Sequence, residues 1–151
     1  MRGTCVAAHP YGMSESTHST SDPKIATVQR LYGAYGRGDM DAVVADLADD
    51  VDWAAEAAGT SVPWWGTFGG KADVRRFFKE ITSNVDVTEF DLVSFTSNDT
   101  DVVAIVHWTF TVGATGKTAS MFMQHWFRFA DEKIVFFRGS EDSDQSARVF
   151  S

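Results

Sequence analysis

His125 is the residue whose type and setting best suit chemistry. It alternates with Met121, Met123, Phe127 and Phe129 along one face of a predicted strand, so a polar imidazole stands among apolar side chains. An imidazole transfers protons near neutral pH, and apolar surroundings shift its pKa. We therefore expect His125 to face a pocket as a catalytic acid or base. The alternative is a histidine that is simply hydrogen-bonded within the core.

Asp142 and Arg138 are the residues expected to assist His125. They lie four residues apart and share a face of the last predicted strand if that strand stays regular. A meander places this strand beside the one that carries His125. Asp142 would then orient the imidazole, and Arg138 would bind an enolate or a carboxylate. A salt bridge at the rim of the protein is the competing interpretation.

Aromatic residues are unusually abundant, at 13% of the chain. Aromatic pockets suit flat hydrophobic ligands, and two adjacent tryptophans in a Pro/Gly loop are difficult to bury together in a core. For Tyr32, a plain core position in its helix is the alternative. We predict a ligand-binding wall built from Tyr32, Trp53, Trp64, Trp65, Phe68, Met123 and Phe127.

Length and charge exclude several classes of protein. The chain has 151 residues, the size of one ordinary domain, and a net charge of −8. An acidic surface repels phosphate backbones and anionic lipids, so we expect neither nucleic acid nor a membrane as partner. The single cysteine, Cys5, rules out a disulfide framework, and the histidines lack metal-ligand spacing. We accordingly predict no metal and a cytoplasmic location.

Helical patterns fill the first half of the chain. Residues 1–21 show no apolar periodicity and are predicted to be a disordered leader, so the single domain spans 22–151. Asp22 and Pro23 begin a first helix. Asp39 begins a second one, whose apolar stripe extends to Leu47. A short strand is predicted at 51–53, and a third helix follows Gly70.

The second half of the chain has the composition of strands. Residues 85–95, 102–112, 118–129 and 134–140 are rich in β-branched and aromatic residues and are separated by turn sequences. Three helices and an antiparallel meander predict an α+β fold. Two strands are bulky on both faces, so a second copy of the chain is expected to cover the sheet, with Trp108, Phe110 and Trp126 in the interface.

Four stretches in this order resemble the SnoaL-like branch of the nuclear transport factor 2-like superfamily, which is also called ketosteroid isomerase-like. Residues 38–51 are similar to the family's opening with Gly-Asp and a later Ala-Asp-Asp. Residues 63–71 resemble its Pro- and Gly-rich aromatic loop. Residues 124–134 resemble its hairpin, and residues 137–142 resemble its last strand.

The resemblance implies a cone-shaped, cystatin-like α+β barrel, in which a curved antiparallel sheet wraps around three N-terminal helices and encloses a deep apolar pocket. Members are commonly dimeric and include cyclases, isomerases, epoxide hydrolases, dehydratases and proteins that only bind or assemble. A shared fold alone does not determine which of these functions applies.

The resemblance also brings Glu56 into consideration, because the steroid-isomerase branch keeps its carboxylate base near the end of the first strand. That position falls on Ala55 here, and Glu56 would substitute only if the loop shifts. The cyclase branch's acid falls on Gly139. These departures disfavour the established isomerase and cyclase chemistries.

Two functions remain open at this point. The first is a cofactor-independent isomerase, cyclase or hydrolase/dehydratase that acts on a small hydrophobic, oxygenated molecule by acid–base catalysis, with His125, Asp142, Arg138 and Glu56 as its candidates. The second is a non-catalytic ligand-binding or dimerisation module of the same fold.

Overall fold

The computed structural model describes residues 22–151, so the predicted leader at 1–21 lies outside the described residues. Helix α1 spans Pro23–Gly36 and helix α2 spans Met40–Ala45. The side chain of Asp22 accepts a hydrogen bond from the backbone N–H of Lys24 at 2.8 Å, and Asp39 accepts one from Ala42 at 3.1 Å. Both helices therefore begin at the aspartates predicted to cap them.

Strand β1 is longer than the predicted one and spans Leu47–Ala55. Leu47, the last residue of the predicted helical stripe, is instead the first residue of this strand. A loop leads to the short strand β2 (Gly66–Thr67) and then to helix α3 (Lys71–Asn84). Val74, Phe77, Phe78 and Ile81 form the buried stripe of α3.

Four long strands follow, as predicted from the second half of the sequence. They are β3 (Val85–Ser97), β4 (Asp101–Val112), β5 (Thr118–Ala130) and β6 (Lys133–Ser140). A short helix, α4 (Ser143–Phe150), ends the chain.

The six strands form one curved, unclosed sheet in the order β2-β1-β6-β5-β4-β3. Strands β3 to β6 pair antiparallel as a meander, which places β6 beside β5 as expected. Strand β1 differs, because it runs parallel to β6. The α+β architecture is thus confirmed, with one parallel pairing in an otherwise antiparallel sheet.

The concave face of the sheet carries the core. Burial alternates strictly along β4, where the even-numbered residues from Val102 to Val112 are all buried. Trp108 and Phe110 belong to this inner face. The expectation that they lie in a subunit interface is wrong for these two residues, because their rings pack in the interior of the same chain. Trp126 does lie on the outer face, with 37% of its surface exposed.

A β-bulge in β6 sets which side chains share a face with His125. The turn between β5 and β6 pairs Ala130 with Lys133, and both of its residues have positive φ, 50° and 64°. A regular hairpin from this turn would place Arg138 opposite His125. Between Phe129 and Arg128, however, the pairing shifts by one residue because β6 contains an extra residue there. Gly139 therefore becomes the partner of His125 instead.

The outer face of the sheet combines apolar and charged side chains. Phe122 is 39% exposed, and the rings of Trp126 and Phe136 pack together with centroids 4.9 Å apart. Within residues 22–151, no helix is both long enough and apolar enough to cross a membrane.

Candidate functional site

An apolar pocket lies between the helices and the concave face of the sheet. Its volume is about 60 Å³, measured as room for the centres of water-sized molecules. This is several times the ~10–15 Å³ that one water molecule needs, so the pocket has room for more than one water molecule. The pocket is bordered by Leu31, Tyr32, Tyr35, Trp53, Ala55, Trp64, Phe77, Phe78, Ile81, Phe90, Trp108, Met123, His125, Phe127, Phe137, Gly139, Ser140 and Glu141.

Three aromatic side chains separate this pocket from an open groove on the surface. Tyr32, Tyr35 and Phe90 border both the pocket and the groove, which runs between α1, the end of α3 and β3. The ring of Tyr35 lies 5.6 Å from that of Phe90. These rings therefore form the partition between the pocket and the groove.

His125 and Tyr32 form a hydrogen-bonded pair in the pocket wall. The Tyr32 hydroxyl lies 2.7 Å from Nδ1 of His125, and the two rings stack with centroids 5.9 Å apart. Tyr32 comes from the middle of α1, and His125 comes from the inner face of β5. The helix thus fixes the orientation of an imidazole that the sheet presents.

Burial changes the pKa of both members of this pair. It lowers the pKa of His125 to about 4, because the positive imidazolium would lose its hydration. It raises the pKa of Tyr32 well above its ordinary value of 10, because the phenolate would also lose hydration. Near pH 7 the pair is therefore a neutral phenol next to a neutral imidazole.

Within the described residues, only one of the two ring nitrogens of His125 is hydrogen-bonded. Among residues 22–151, Nε2 of His125 has no hydrogen-bond partner, yet the atom is not closed off from solvent. His125 is a half-buried residue that borders the pocket. The side chain of His125 therefore forms part of the pocket wall.

Besides His125 and two tyrosines, the described pocket lining contains one more ionisable side chain, that of Glu141. Glu141 was not among the predicted site residues. Its Oε1 accepts hydrogen bonds from the indole N–H groups of Trp64 at 2.8 Å and Trp65 at 3.0 Å. Its Oε2 accepts a short bond from the hydroxyl of Ser146 in α4, which is fully buried. Three donors thus hold this carboxylate at the pocket wall.

A signal for Glu141 was present in the sequence. Every second residue of a strand points to the same face, so Phe137 and Gly139 share the inner face of β6. Glu141, two residues further on, continues this face past the end of the strand. The adjacent Trp64 and Trp65 also supply two donors that need an acceptor.

The predicted binding wall is brought together in large part. Tyr32, Trp53, Trp64, Met123 and Phe127 border the pocket. Trp65 does not, although its indole N–H reaches Glu141. Phe68 is buried elsewhere, against Phe77 and under the guanidinium of Arg76.

Arg138 and Glu56 differ from their expected positions, because the bulge turns Arg138 to the outer face. Arg138 makes two contacts of 3.0 Å with the carboxylate of Asp52 and one of 3.1 Å with Glu56. Asp52 raises the pKa of Arg138 through hydrogen bonds and charge. These residues form an ion-pair cluster on the outside of the sheet rather than part of the pocket.

Asp142 also lies away from His125. Strand β6 ends at Ser140, and the exposed Asp142 caps α4 by accepting a hydrogen bond from the backbone N–H of Gln145 at 3.0 Å. The predicted four-residue spacing with Arg138 fails because the strand does not continue that far.

One further cluster of titratable groups lies on the outer face. Glu89, Asp91 and His107 bring their potential ligand atoms within 4.8 Å of one another. Glu89 lies 3.4 Å from Nδ1 of His107, and its hydrogen bond to Asp91 raises the pKa of Asp91. Both carboxylates are exposed, so the cluster is adequately described as a surface ion pair.

The comparisons with known proteins agree with this fold. The model of the SnoaL-like domain family matches residues 28–137, so the chain belongs to the SnoaL-like domain family. Among curated protein sequences, none matches the chain.

Solved structures extend the likeness to nearly the whole described region. An NTF2-like protein of unknown function from Burkholderia pseudomallei is 23% identical, with a TM-score of 0.79 over 86% of this chain and 98% of that one. TerC, co-crystallised with polyporic acid, is 17% identical, with a TM-score of 0.76 over 85% and 98%. An LEH-like epoxide hydrolase from M. tuberculosis is 17% identical, with a TM-score of 0.63 over 84% and 88%. Likeness at these identities shows the fold alone.

Proposed function

We propose that this protein is an acid–base enzyme that moves a proton on a small, neutral, apolar molecule bearing a carbonyl group. The observation that carries the proposal is that Glu141 and His125 both line a pocket that is otherwise almost entirely apolar. Ionisable groups in such surroundings are costly to bury and are characteristic of functional sites.

Glu141 is the proposed base. Its two oxygens offer about four lone-pair sites, of which the indole and hydroxyl donors occupy three. The remaining lone pair on Oε2 would accept the proton from a carbon next to the carbonyl of the substrate. Fixing the carboxylate beforehand removes the entropy cost of orienting it during the reaction.

His125 is the proposed electrophile. Because Tyr32 stays protonated, its hydroxyl can donate to Nδ1, which leaves the single proton of the neutral imidazole on Nε2. That N–H would donate to the carbonyl oxygen as it becomes an enolate oxygen. With a substrate whose carbon–carbon double bond is β,γ to the carbonyl, the intermediate is a dienolate. Return of the proton from Glu141 to the far carbon of this dienolate would move the double bond and complete an isomerisation, with Tyr32 as a positioning residue.

Solved relatives of this fold support an organic ligand in general. TerC was crystallised with polyporic acid, and the M. tuberculosis relative is an epoxide hydrolase. In this chain, the described lining contains no lysine or arginine. A neutral substrate is therefore favoured over an anionic one, because an anion would find no cation to balance it.

The proposal is tested with 2-tetralone, a neutral bicyclic ketone with acidic hydrogens next to its carbonyl. Binding is followed by tryptophan fluorescence, and exchange of those hydrogens for deuterium in D2O is followed by NMR. The wild-type protein is expected to accelerate exchange. Glu141→Gln, which lacks the base, should lower the rate at least ~100-fold.

Asp142→Asn is the matched control, because it changes the neighbouring carboxylate while an asparagine still caps α4. Its exchange rate should equal that of the wild type. Binding of 2-tetralone without exchange above the Glu141→Gln rate would contradict the enzyme and leave a ligand-binding module. Failure of 2-tetralone to bind would contradict the proposed ligand class.

We also infer that two copies of the chain pair through the outer face of the sheet. Val103, Ile105, Phe122, Trp126 and Phe136 are half-buried or exposed apolar residues on this face. A self-complementary contact between two such faces would remove them from water. Sedimentation at micromolar concentration should show a dimer that Trp126→Glu converts to a folded monomer, and a monomeric wild type would contradict it.

A further inference from the structure

Two of the five tryptophans find no acceptor for their indole N–H among residues 22–151. Trp64 and Trp65 donate to Glu141, and Trp126 donates to Asp101 at 2.8 Å. Within residues 22–151, Nε1 of Trp53 and Nε1 of Trp108 are the buried side-chain nitrogens or oxygens that lack a partner. Buried donors are paired in the large majority of cases, so each of these needs an explanation.

The two tryptophans that carry these donors line the same pocket. Trp53 is 1% exposed, Trp108 is 3% exposed, and both residues border the cavity that also contains His125 and Glu141. The other tryptophan of the lining, Trp64, already has its acceptor. The two tryptophans with unpaired N–H groups are thus both lining residues of the proposed ligand site.

The part of the chain that the structure describes offers neither indole N–H an oxygen or nitrogen acceptor. Trp53 stacks on Phe137 with centroids 3.9 Å apart and meets the edge of Phe77 at 5.7 Å. Trp108 packs against Phe110 at 4.3 Å and Trp64 at 5.4 Å. Phenyl rings carry no lone pair, and an indole N–H only donates, so a conventional partner has to arrive with a ligand.

We infer that the pocket recognises a neutral ligand with two separate hydrogen-bond acceptors on an apolar frame, one for the N–H of Trp53 and one for that of Trp108. Carbonyl and ether oxygens are acceptors of this kind. The inference rests on the proposed function in one respect only, which is that this pocket is the ligand site.

The burial of the two nitrogens also indicates how such a ligand binds. Each Nε1 is closed to solvent, so an acceptor reaches it only when the ligand's frame moves the indole slightly away from its neighbours. An apolar frame can do this without exposing the rings to water, whereas a small hydrated ion cannot. This favours a flat organic molecule over an inorganic anion.

The inference is tested with three bicyclic probes of similar size. Tetralin has no acceptor, 1-tetralone has one oxygen and 4-chromanone has two well-separated oxygens. Dissociation constants are measured by calorimetry. Since one hydrogen bond contributes about 1 kcal/mol, we expect each oxygen to tighten binding by roughly five- to tenfold.

Variants of the two tryptophans separate hydrogen bonding from packing. Trp53→Phe and Trp108→Phe each keep an aromatic ring and lose the N–H. Each should weaken the binding of 4-chromanone by roughly five- to tenfold beyond any change in the binding of tetralin, which reports the integrity of the pocket. Trp126→Phe, on the outer face, should leave all three affinities unchanged.

The outcomes distinguish the inference from the proposed function. Equal affinities of the three probes for the wild type, or an equal weakening of all three in both pocket variants, would overturn the inference and leave the ligand pocket intact. Either result would mean that the indole N–H groups are satisfied by the π faces of neighbouring aromatic rings. If none of the probes binds, the proposed ligand site is itself contradicted, and the inference fails with it.

Discussion

His125 and Trp126 are neighbours on β5 and show how differently the two faces of the sheet are built. On the inner face, His125 is held by a neutral phenol among aromatic rings, and burial lowers its pKa to about 4. On the outer face, Trp126 donates to Asp101, whose carboxylate also pairs with Arg128 at 2.9 Å. On the inner face, polar groups are few and are hydrogen-bonded by neutral donors. On the outer face, opposite charges pair with one another near water.

This difference assigns separate tasks to the two faces. Surface ion pairs contribute little to stability because water already solvates both charges. An imidazole or carboxylate in the pocket wall is solvated less completely, so its chemistry depends more on its neighbours. The inner face is therefore where the fold can alter reactivity.

The largest expected effect contrasts two phenylalanines of β5. Phe127 is fully buried on the inner face, so Phe127→Ala should lower the free energy of unfolding by about 3–5 kcal/mol. Phe122→Ala on the outer face should lower it by about 1 kcal/mol or less. Urea unfolding of dilute samples measures both. Equal losses would show that the two faces are not distinct in packing.

The second effect is the dependence of stability on pH. The pKa of His125 is about 4 in the folded protein and about 6.5 when unfolded, so acid favours the unfolded state by protonating it first. Stability should fall by about 3 kcal/mol as the pH decreases from above 6.5 to 4, with no further loss from His125 below that.

His125→Gln isolates this term, because glutamine does not titrate in the same range. The difference in unfolding free energy between the variant and the wild type should therefore change across pH 6.5 to 4. The outer pair behaves differently, because Arg128 lowers the pKa of Asp101 and its contribution is lost only at pH values below its ordinary 3.8. An unchanged difference from pH 7 to 4 would contradict the burial of His125.

A smaller effect separates Asp142 from Glu141. Asp142→Ala removes the cap of α4 and should lower the free energy of unfolding by about 1 kcal/mol. The affinity for 2-tetralone should stay the same, because Asp142 does not border the pocket. A loss of affinity without a loss of stability would place Asp142 in the site after all.

The sequence was sufficient for the family, the α+β fold and the meander, because alternation and turn residues are local signals. His125 could be predicted to face inward on the same grounds. The face on which Arg138 lies could not be predicted. One extra residue at the bulge in β6 moves every later side chain of the strand to the opposite face of the sheet. Glu141 was missed for a related reason, since its side chain enters the pocket just where β6 ends and α4 has not begun.

The most direct measurement of the division between the two faces is a ¹⁵N NMR spectrum of the indole N–H groups, recorded as 2-tetralone is added. The five tryptophans give five signals, assigned by single Trp→Phe variants. The signals of Trp53, Trp64 and Trp108, which border the pocket, are expected to shift together and to saturate. The signal of Trp126 on the outer face should stay in place. A shift of Trp126 with the three pocket signals unmoved would contradict the assignment of the inner face as the ligand site.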